Sequence, residues 1–372
     1  MAPAFDVCIR GAGIVGRTLA LLLARERLRV GLVEQQPAAA SGHSDVRAYA
    51  LNPASRALLE MLRAWPDDAH ATPVAAMQVH GDDGGTVSFD AADQGVAALA
   101  WIVDVPALQD RLGEALRYQP LVERLQAPQP AALTVVCEGR ASATRAEFGV
   151  QFEITSYPQR AIAARLTCER PHGMVARQWF ADGEIVALLP LGGSAGSAGG
   201  NSVALVWSVR EQRADTVLAL DAAAFALELE QACGGELGAM TLASERAAWP
   251  LQLARANRWC GPGWALAGDA AHNVHPLAGQ GLNLGLADAK VLADVLRERE
   301  YWRSVGDLKL LRRYERSRKA DVLAMGATTD GLQQLFAQPP GPWALLRNWG
   351  MFGFEHSGPV KHWVARQAMG RP

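Results

Sequence analysis

The sequence predicts a mixed α/β fold, in which a parallel sheet begun by a βαβ unit is interrupted by an antiparallel sheet and followed by C-terminal helices. Three observations carry this. Residues 5–34 read as strand, glycine-rich turn, helix and strand. From about residue 157 to 253 strand follows strand, with turn residues between them. Beyond residue 263 an apolar strand gives way to two long helical patterns. A chain of 372 residues with 36 glycines and 20 prolines suits two closely packed domains with many turns.

In chain order, "FDVCI" is a short apolar run with a β-branched character, and "IVGRTLALLLARE" repeats its apolar positions at helical spacing. "RVGLVE" (29–34) is the next strand. "AAMQVH" and "TVSFD" flank "GDDGG", the pattern of a hairpin. "PALQDRLGEALR" (106–117) opens on a proline suited to a first helical turn and keeps Leu108, Leu112 and Leu116 on one face. "ALTVVCEG" is a strand running into a turn. The strands "RAIAARLTCE", "ARQWFADGEIVALLPL" and "NSVALVWSVR" form the antiparallel sheet, with the tract 192–202 as a hairpin tip and "ALDAAAFALELEQA" as a covering helix. "GWALAGDA" returns to a parallel-type strand, and helices follow at about 279–299 and 307–336.

Composition narrows the function. Lys and Arg number 36 against 38 Asp and Glu, a net charge of −2, so no global field exists to hold nucleic acid. The five cysteines are dispersed without a Cys-x-x-Cys pair, which argues against a zinc site or disulfide framework and fits a reducing compartment. No signal peptide is evident in "MAPAFDVCIR" and "TLALLLA" is far too short to span a bilayer, so a cytoplasmic location is expected.

"GAGIVG" places Gly11, Gly13 and Gly16 in GxGxxG spacing between a strand and a helix, with Ile14 in the same turn. Gly11 permits the tight turn, Gly13 lets a pyrophosphate approach the backbone, and Gly16 lets helix and strand pack closely. Glu34 ends the second strand, where a carboxylate accepts hydrogen bonds from a ribose diol and repels a 2′-phosphate. NAD or FAD is therefore expected in this cradle. Arg10 stands at the strand end, where an apolar residue is usual, and its side chain needs a polar outlet.

A second cradle lies at "GDAAHNVHPLAGQGLNLGLADA" (268–289). Asp269 follows a strand and suits ribityl hydroxyls, while Gly279, Gln280, Gly281, Leu282 and Asn283 form a helix start whose N–H groups suit the negative charge of a reduced flavin. This favours FAD over NAD. His272 and His275, at i and i+3, lack a third ligand of plausible spacing, so no metal is expected.

"GAGIVG", "DVRAYALNPASRALLEML" and the second cradle together resemble the FAD-dependent hydroxylases of ubiquinone biosynthesis, the UbiH type, within the p-hydroxybenzoate hydroxylase class of flavin monooxygenases. The similarity runs to "LRNWGM" and "PVKHWVARQAMG" at the chain's end. It implies FAD in extended form, with NAD(P)H as co-substrate, and oxygen passing from a flavin C4a-hydroperoxide to an electron-rich prenylated phenol. It implies FAD-binding parts at 1–71, 101–156 and 254–338, substrate-domain strands at 72–100, a substrate domain at 157–253 and a helical tail at 339–372.

By the same resemblance Arg47 and Gln109 lie near the cofactor, and Pro276 with the Gly279–Asn283 turn lies beside the flavin ring. His275 is the candidate general base, or else a hydrogen bonder that holds the turn. In "EGRASATR" Glu138 replaces the family aspartate, whereas Gly139, Ser142 and Arg145 remain. The segment between Leu116 and Glu138 is short, so a strand pair is expected to be missing there. These departures keep a non-catalytic FAD-binding subunit of a quinone-biosynthesis assembly open as the alternative.

The tail mixes Trp343, Trp349, Phe352, Phe354 and Trp363 with Arg347, Lys361 and Arg366. That mixture suits peripheral contact with a membrane or a lipid-carrying partner, and equally packing against the core or a second subunit.

Overall fold

The computed structural model describes residues 4–34, 45–81, 84–181, 183–192, 200–273, 280–337, 355 and 357–369. Its frame is a six-stranded sheet in the order Cys260–Gly261, Trp264–Leu266, Ala131–Val136, Phe5–Arg10, Val30–Val33, Val122–Leu125. The last five pair in parallel, with Val7 opposite both Val30 and Leu133. Their sequences are short continuous apolar runs because helices cover both faces of such a sheet. Segment 117–137 supplies two of these strands and their link, with no further strand pair in it.

The helix Ile14–Arg25 is buried almost all round, with Leu19, Leu21 and Leu23 at most 2% exposed. It lies against the sheet and between the helices Val105–Arg117 and Gln280–Arg297. Val15 is the contact point with the latter. A Cβ on Gly285 or Gly268 would stand 2.7 or 3.2 Å from Val15, so both glycines let the helix Gln280–Arg297 and the turn at Gly268 approach the first helix.

Among the described residues the second sheet has nine strands. Eight run in the order His272–Asn273, Ala247–Ala256, Phe152–Cys168, Ser202–Arg210, Glu184–Leu191, Val175–Ala181, Ala76–His80, Thr86–Asp90, and Met240–Leu242 pairs beside Phe152–Cys168. The two strands that flank "GDDGG" pair antiparallel as expected, with Ala76 opposite Asp90, while Asp82 and Asp83 lie outside the described residues. The sheet is antiparallel except at one junction, where Ala76–His80 meets Val175–Ala181 in parallel. That strand enters from an earlier part of the chain, so no tight hairpin dictates its direction.

One face of this sheet is covered by the helices Glu211–Ala219 and Ala222–Ala232, which bury Phe225 and Leu229 against Leu205 and Trp207. Asp221 caps the second helix by accepting from the Ala224 N–H. A small third sheet, Ala48–Leu51, Ala100–Asp104 and Ala71–Val74, lies toward the opposite face and packs Val74, Ala100 and Ile102 against Ala176, Leu191 and Ala204. The helices Gln280–Arg297, Leu308–Ala337 and Pro359–Ala368 complete the fold. No helix among the described residues is long and apolar enough to cross a membrane.

Candidate active site

The first cradle is built by crowding. A Cβ on Gly11, whose φ is +109°, would meet the Cys137 carbonyl oxygen at 2.5 Å, and one on Gly16 would meet the Gly11 oxygen at 1.9 Å. Neither site tolerates a side chain. Gly13 differs, because a Cβ there meets nothing within 4 Å. Helix Ile14–Arg25 begins at Gly13 with no side-chain cap and no acid in its first turn, leaving N–H groups and the positive dipole end free for an anion.

Glu34 follows the strand Val30–Val33, and its Oε1 is buried without a hydrogen-bond partner. Two guanidiniums flank it at longer range, Arg124 at 3.7 Å and Arg17 at 3.9 Å. Arg17 also donates to the Ala12 carbonyl at 2.7 Å and the Gln109 carbonyl at 2.9 Å. Gln109 is thus joined to the glycine turn through its backbone. Arg17 is not among the expected site residues, although a lone cation inside an apolar helix has to find acceptors. Because a ribose hydroxyl would complete Glu34, Glu34→Ala should raise the Kd for FAD by about tenfold to a hundredfold, the worth of one or two charge-assisted hydrogen bonds. Fluorescence titration of the apoprotein with FAD measures it.

Arg10 finds its polar outlet in Glu138 (Nε to Oε1, 3.1 Å) and Glu147 (2.8 Å). Glu138 is further held by the Ser142 and Thr144 hydroxyls, both at 2.7 Å. The longer carboxylate is therefore absorbed into a local clasp. Arg145 donates to the carbonyls of Gly139, Arg140 and Ala270, and lies over the Phe152 ring. This fastens the "EGRASATR" loop to the second cradle.

That second cradle turns at Gly268–Ala270, where Gly268 takes a φ of +62°. Beneath it Asp288, fully buried, accepts from the Gly268 N–H at 2.9 Å, from His272 Nε2 at 2.7 Å and from Arg318 Nε at 2.7 Å. Burial alone would raise the Asp288 pKa, but the charges and hydrogen bonds of His272 and Arg318 outweigh it and hold the carboxyl below its ordinary range. His272 stacks on Trp259, and the Tyr314 hydroxyl donates to the Leu266 carbonyl. His272 is thus a buried scaffold residue. Asp288 and Arg318 escaped the sequence reading, and the acid within the apolar pattern of "LGLADAKVL" was the available signal.

Asp269 is exposed at this turn, and the protein packed around its carboxyl raises its pKa through lost hydration, opposed by the charges of His272, Arg140 and Arg47. Arg47 pairs with Asp45 at 2.6 Å. Helix Gln280–Arg297 starts the second cradle's far side, and a Cβ on Gly281 would meet nothing within 4 Å. Leu282 is buried. The Asn283 side chain is committed to the protein, donating to the Ala50 carbonyl and accepting from the Asn52 N–H and the Ser55 hydroxyl. It fixes the helix start and leaves only its backbone for a ligand. His275, Pro276 and Gly279 lie outside the described residues, as do Trp343, Arg347, Trp349, Phe352 and Phe354 of the tail.

A cavity of about 260 Å³ adjoins this region. Ala163, Ala176, Ala187, Ala204 and Val206 of the large sheet line one side, Ala48, Ala50, Arg47 and Gln280 another, and Val364, Ala365 and Met369 of the C-terminal helix a third. The described part of the tail thus packs on the protein. Lys361 pairs with Glu355, and Glu355 accepts from the Ser88 N–H.

The residues fit an extended dinucleotide. Two glycines that face open space, an uncapped helix N-terminus and an orphaned carboxylate oxygen are distributed over the two cradles. Residues 122–328 match the FAD binding domain family. Ubiquinone hydroxylase UbiL of Rhodospirillum rubrum is 32% identical over 98% of this chain and 89% of its own length. The 3-demethoxyubiquinol 3-hydroxylase of Escherichia coli is 30% identical over 98% of both chains. The fold is shared with PqsL, described as a probable FAD-dependent monooxygenase of Pseudomonas aeruginosa, at a TM-score of 0.75 and 22% identity over 94% of this chain and 99% of that one. Identity sustained over essentially the full length of two hydroxylases goes beyond a shared fold, and the chain belongs to the FAD-dependent hydroxylase family of ubiquinone biosynthesis.

Proposed function

We propose that the chain hydroxylates a prenylated phenol whose ring enters the 260 Å³ cavity, with FAD as cofactor, NAD(P)H as reductant and dioxygen as oxygen source. The observation that carries this reading is the cavity's position: its walls are apolar alanine-rich strands, yet it ends on Gln280 and Arg47, beside the second cradle. An apolar cavity of about 150 Å³ holds benzene, so this volume suits one substituted ring and the first carbons of a side chain. The remainder of a long chain would have to lie outside it.

When bound, FAD supplies the hydride acceptance and oxygen activation that no protein side chain offers. The protein's share is placement. The Gly11–Gly16 turn and the helix behind it would hold the pyrophosphate, Glu34 the adenosine ribose, and Asp269 the ribityl and diphosphate part. The backbone N–H groups of Gln280 to Asn283 would stabilise negative charge on the ring's pyrimidine edge. Arg47 and Gln109 would lie near the cofactor. The apolar walls exclude water from the reacting ring. His275, just before Gln280 in the sequence, is the proposed base for the phenol proton, and His275→Gln should lower kcat with little change in FAD content.

The decisive test offers the FAD-loaded protein a prenylated methoxyphenol with NAD(P)H under labelled dioxygen. Faster NAD(P)H oxidation and one labelled oxygen atom in the product are expected. Oxygen consumption that is equal with and without every phenol, and no label in any of them, would favour a non-catalytic FAD-binding subunit.

A further inference from the structure

Strand register assigns the side chains of the large sheet to two faces. Gln178 pairs with Ala187 on one side and Val79 on the other, Ala187 with Val206, and Val206 with Ala163. Cross-strand partners share a face, so these side chains all stand on the cavity side. Residues of opposite parity, Leu205, Val186 and Ile162, pack beneath the helices on the other side. Within the cavity face Gln178 lies between two apolar groups, Ala176, Leu189 and Ala204 at one end and Phe180, Ile185 and Val87 at the other.

Among the described residues the Gln178 amide makes no hydrogen bond, although it is half-buried and lines the cavity. Gln78, whose buried Oε1 also lacks a partner, pairs with Arg177 and so stands on the opposite face, and three other polar side chains around the cavity are engaged. Arg47 is held by Asp45, Asn52 caps the Ser55 N–H, and Gln280 Oε1 accepts from Asn283. A half-buried amide without a protein partner has its donor and acceptor available to a group that enters the cavity. Small alanines around it keep the space in front of it open.

We propose that Gln178 is a specificity residue that reads an oxygen substituent, hydroxyl or methoxyl, on the substrate ring. The inference rests on the reading of the cavity as the substrate pocket. The amide N–H₂ donates to either substituent, and its carbonyl accepts from a hydroxyl. The alanine wall selects the ring by shape and Gln178 orients it by its oxygen. A ring without that oxygen leaves the amide unpaired on binding, which is how a polar group in an apolar pocket discriminates.

The test compares equilibrium binding of two probes, a prenylated 2-methoxyphenol and prenylbenzene, to the FAD-loaded protein, followed by the change in flavin absorbance. Wild type should bind the oxygenated ring about tenfold more tightly than prenylbenzene, matching one net hydrogen bond of ~1.4 kcal/mol. Gln178→Leu should abolish that preference by weakening the oxygenated probe alone, while FAD content holds and the thermal midpoint does not fall. Ala187→Val, which removes space without touching a polar group, should weaken both probes. Gln178→Leu that keeps the wild-type preference overturns the assignment of Gln178 while leaving the pocket reading intact. Wild type that binds neither probe, or Ala187→Val that binds both as wild type does, overturns the pocket reading and this inference with it.

Discussion

Asp288→Ala is expected to destabilise the protein by about 3–5 kcal/mol, the cost of leaving a buried cation without its countercharge. The carboxylate is fully buried and serves three donors from two parts of the chain: the Gly268 N–H and the His272 ring of one turn, and the Arg318 guanidinium. Its loss strands Arg318, whose side chain is 4% exposed and whose other charged partner is the exposed Asp321. Urea unfolding of the apoprotein measures the loss as a shift in midpoint at constant slope. FAD affinity should fall as well, because Asp288 holds the Gly268 N–H and hence the turn that carries Asp269.

The same carboxylate should be visible in the pH dependence. Its folded pKa is depressed below the unfolded value of about 4, so its contribution is complete above that pH and is lost as pH falls through the folded pKa. Wild type should therefore lose stability steeply below about pH 4, and Asp288→Asn should show a shallower loss there. A variant whose acid limb parallels wild type would show that the His272–Asp288–Arg318 group does not govern acid unfolding.

The second large effect separates two glycines three residues apart. Gly16→Ala places a methyl 1.9 Å from the Gly11 oxygen, so the first helix must move off its strand, at a cost of about 1–3 kcal/mol or more. Both folding stability and FAD binding should suffer. Gly13→Ala meets no protein atom within 4 Å, and at this helix start alanine costs no more than about 1 kcal/mol. Its methyl would instead enter the space that the proposed function gives to the pyrophosphate. Apoprotein stability should stay near wild type while FAD affinity drops at least a hundredfold, and Gly281→Val should behave similarly at the second cradle. Normal FAD affinity in Gly13→Ala would move the cofactor away from this turn.

Local pattern was enough for the βαβ unit with its tight glycine turn and for the strand pair around "GDDGG", because each depends on residues close in sequence: apolar period or turn chemistry. Fold class and cofactor followed from those patterns, and the resemblance to flavin hydroxylases rested on the same short blocks. Residues 152–159 were not read as strand, because exposed Glu153, Ile154, Thr155 and Ser156 carry no alternation, and their pairing comes from Ala247–Ala256 nearly a hundred residues later. The Asp288 group, the Arg17 contact to Gln109 and the cavity depend on tertiary structure for the same reason. Each joins side chains from distant segments, and Gln178 is only one polar residue in a strand until register sets it on a face of alanines. Sequence periodicity assigns a side chain to a side of its own element, and only packing decides what stands opposite it.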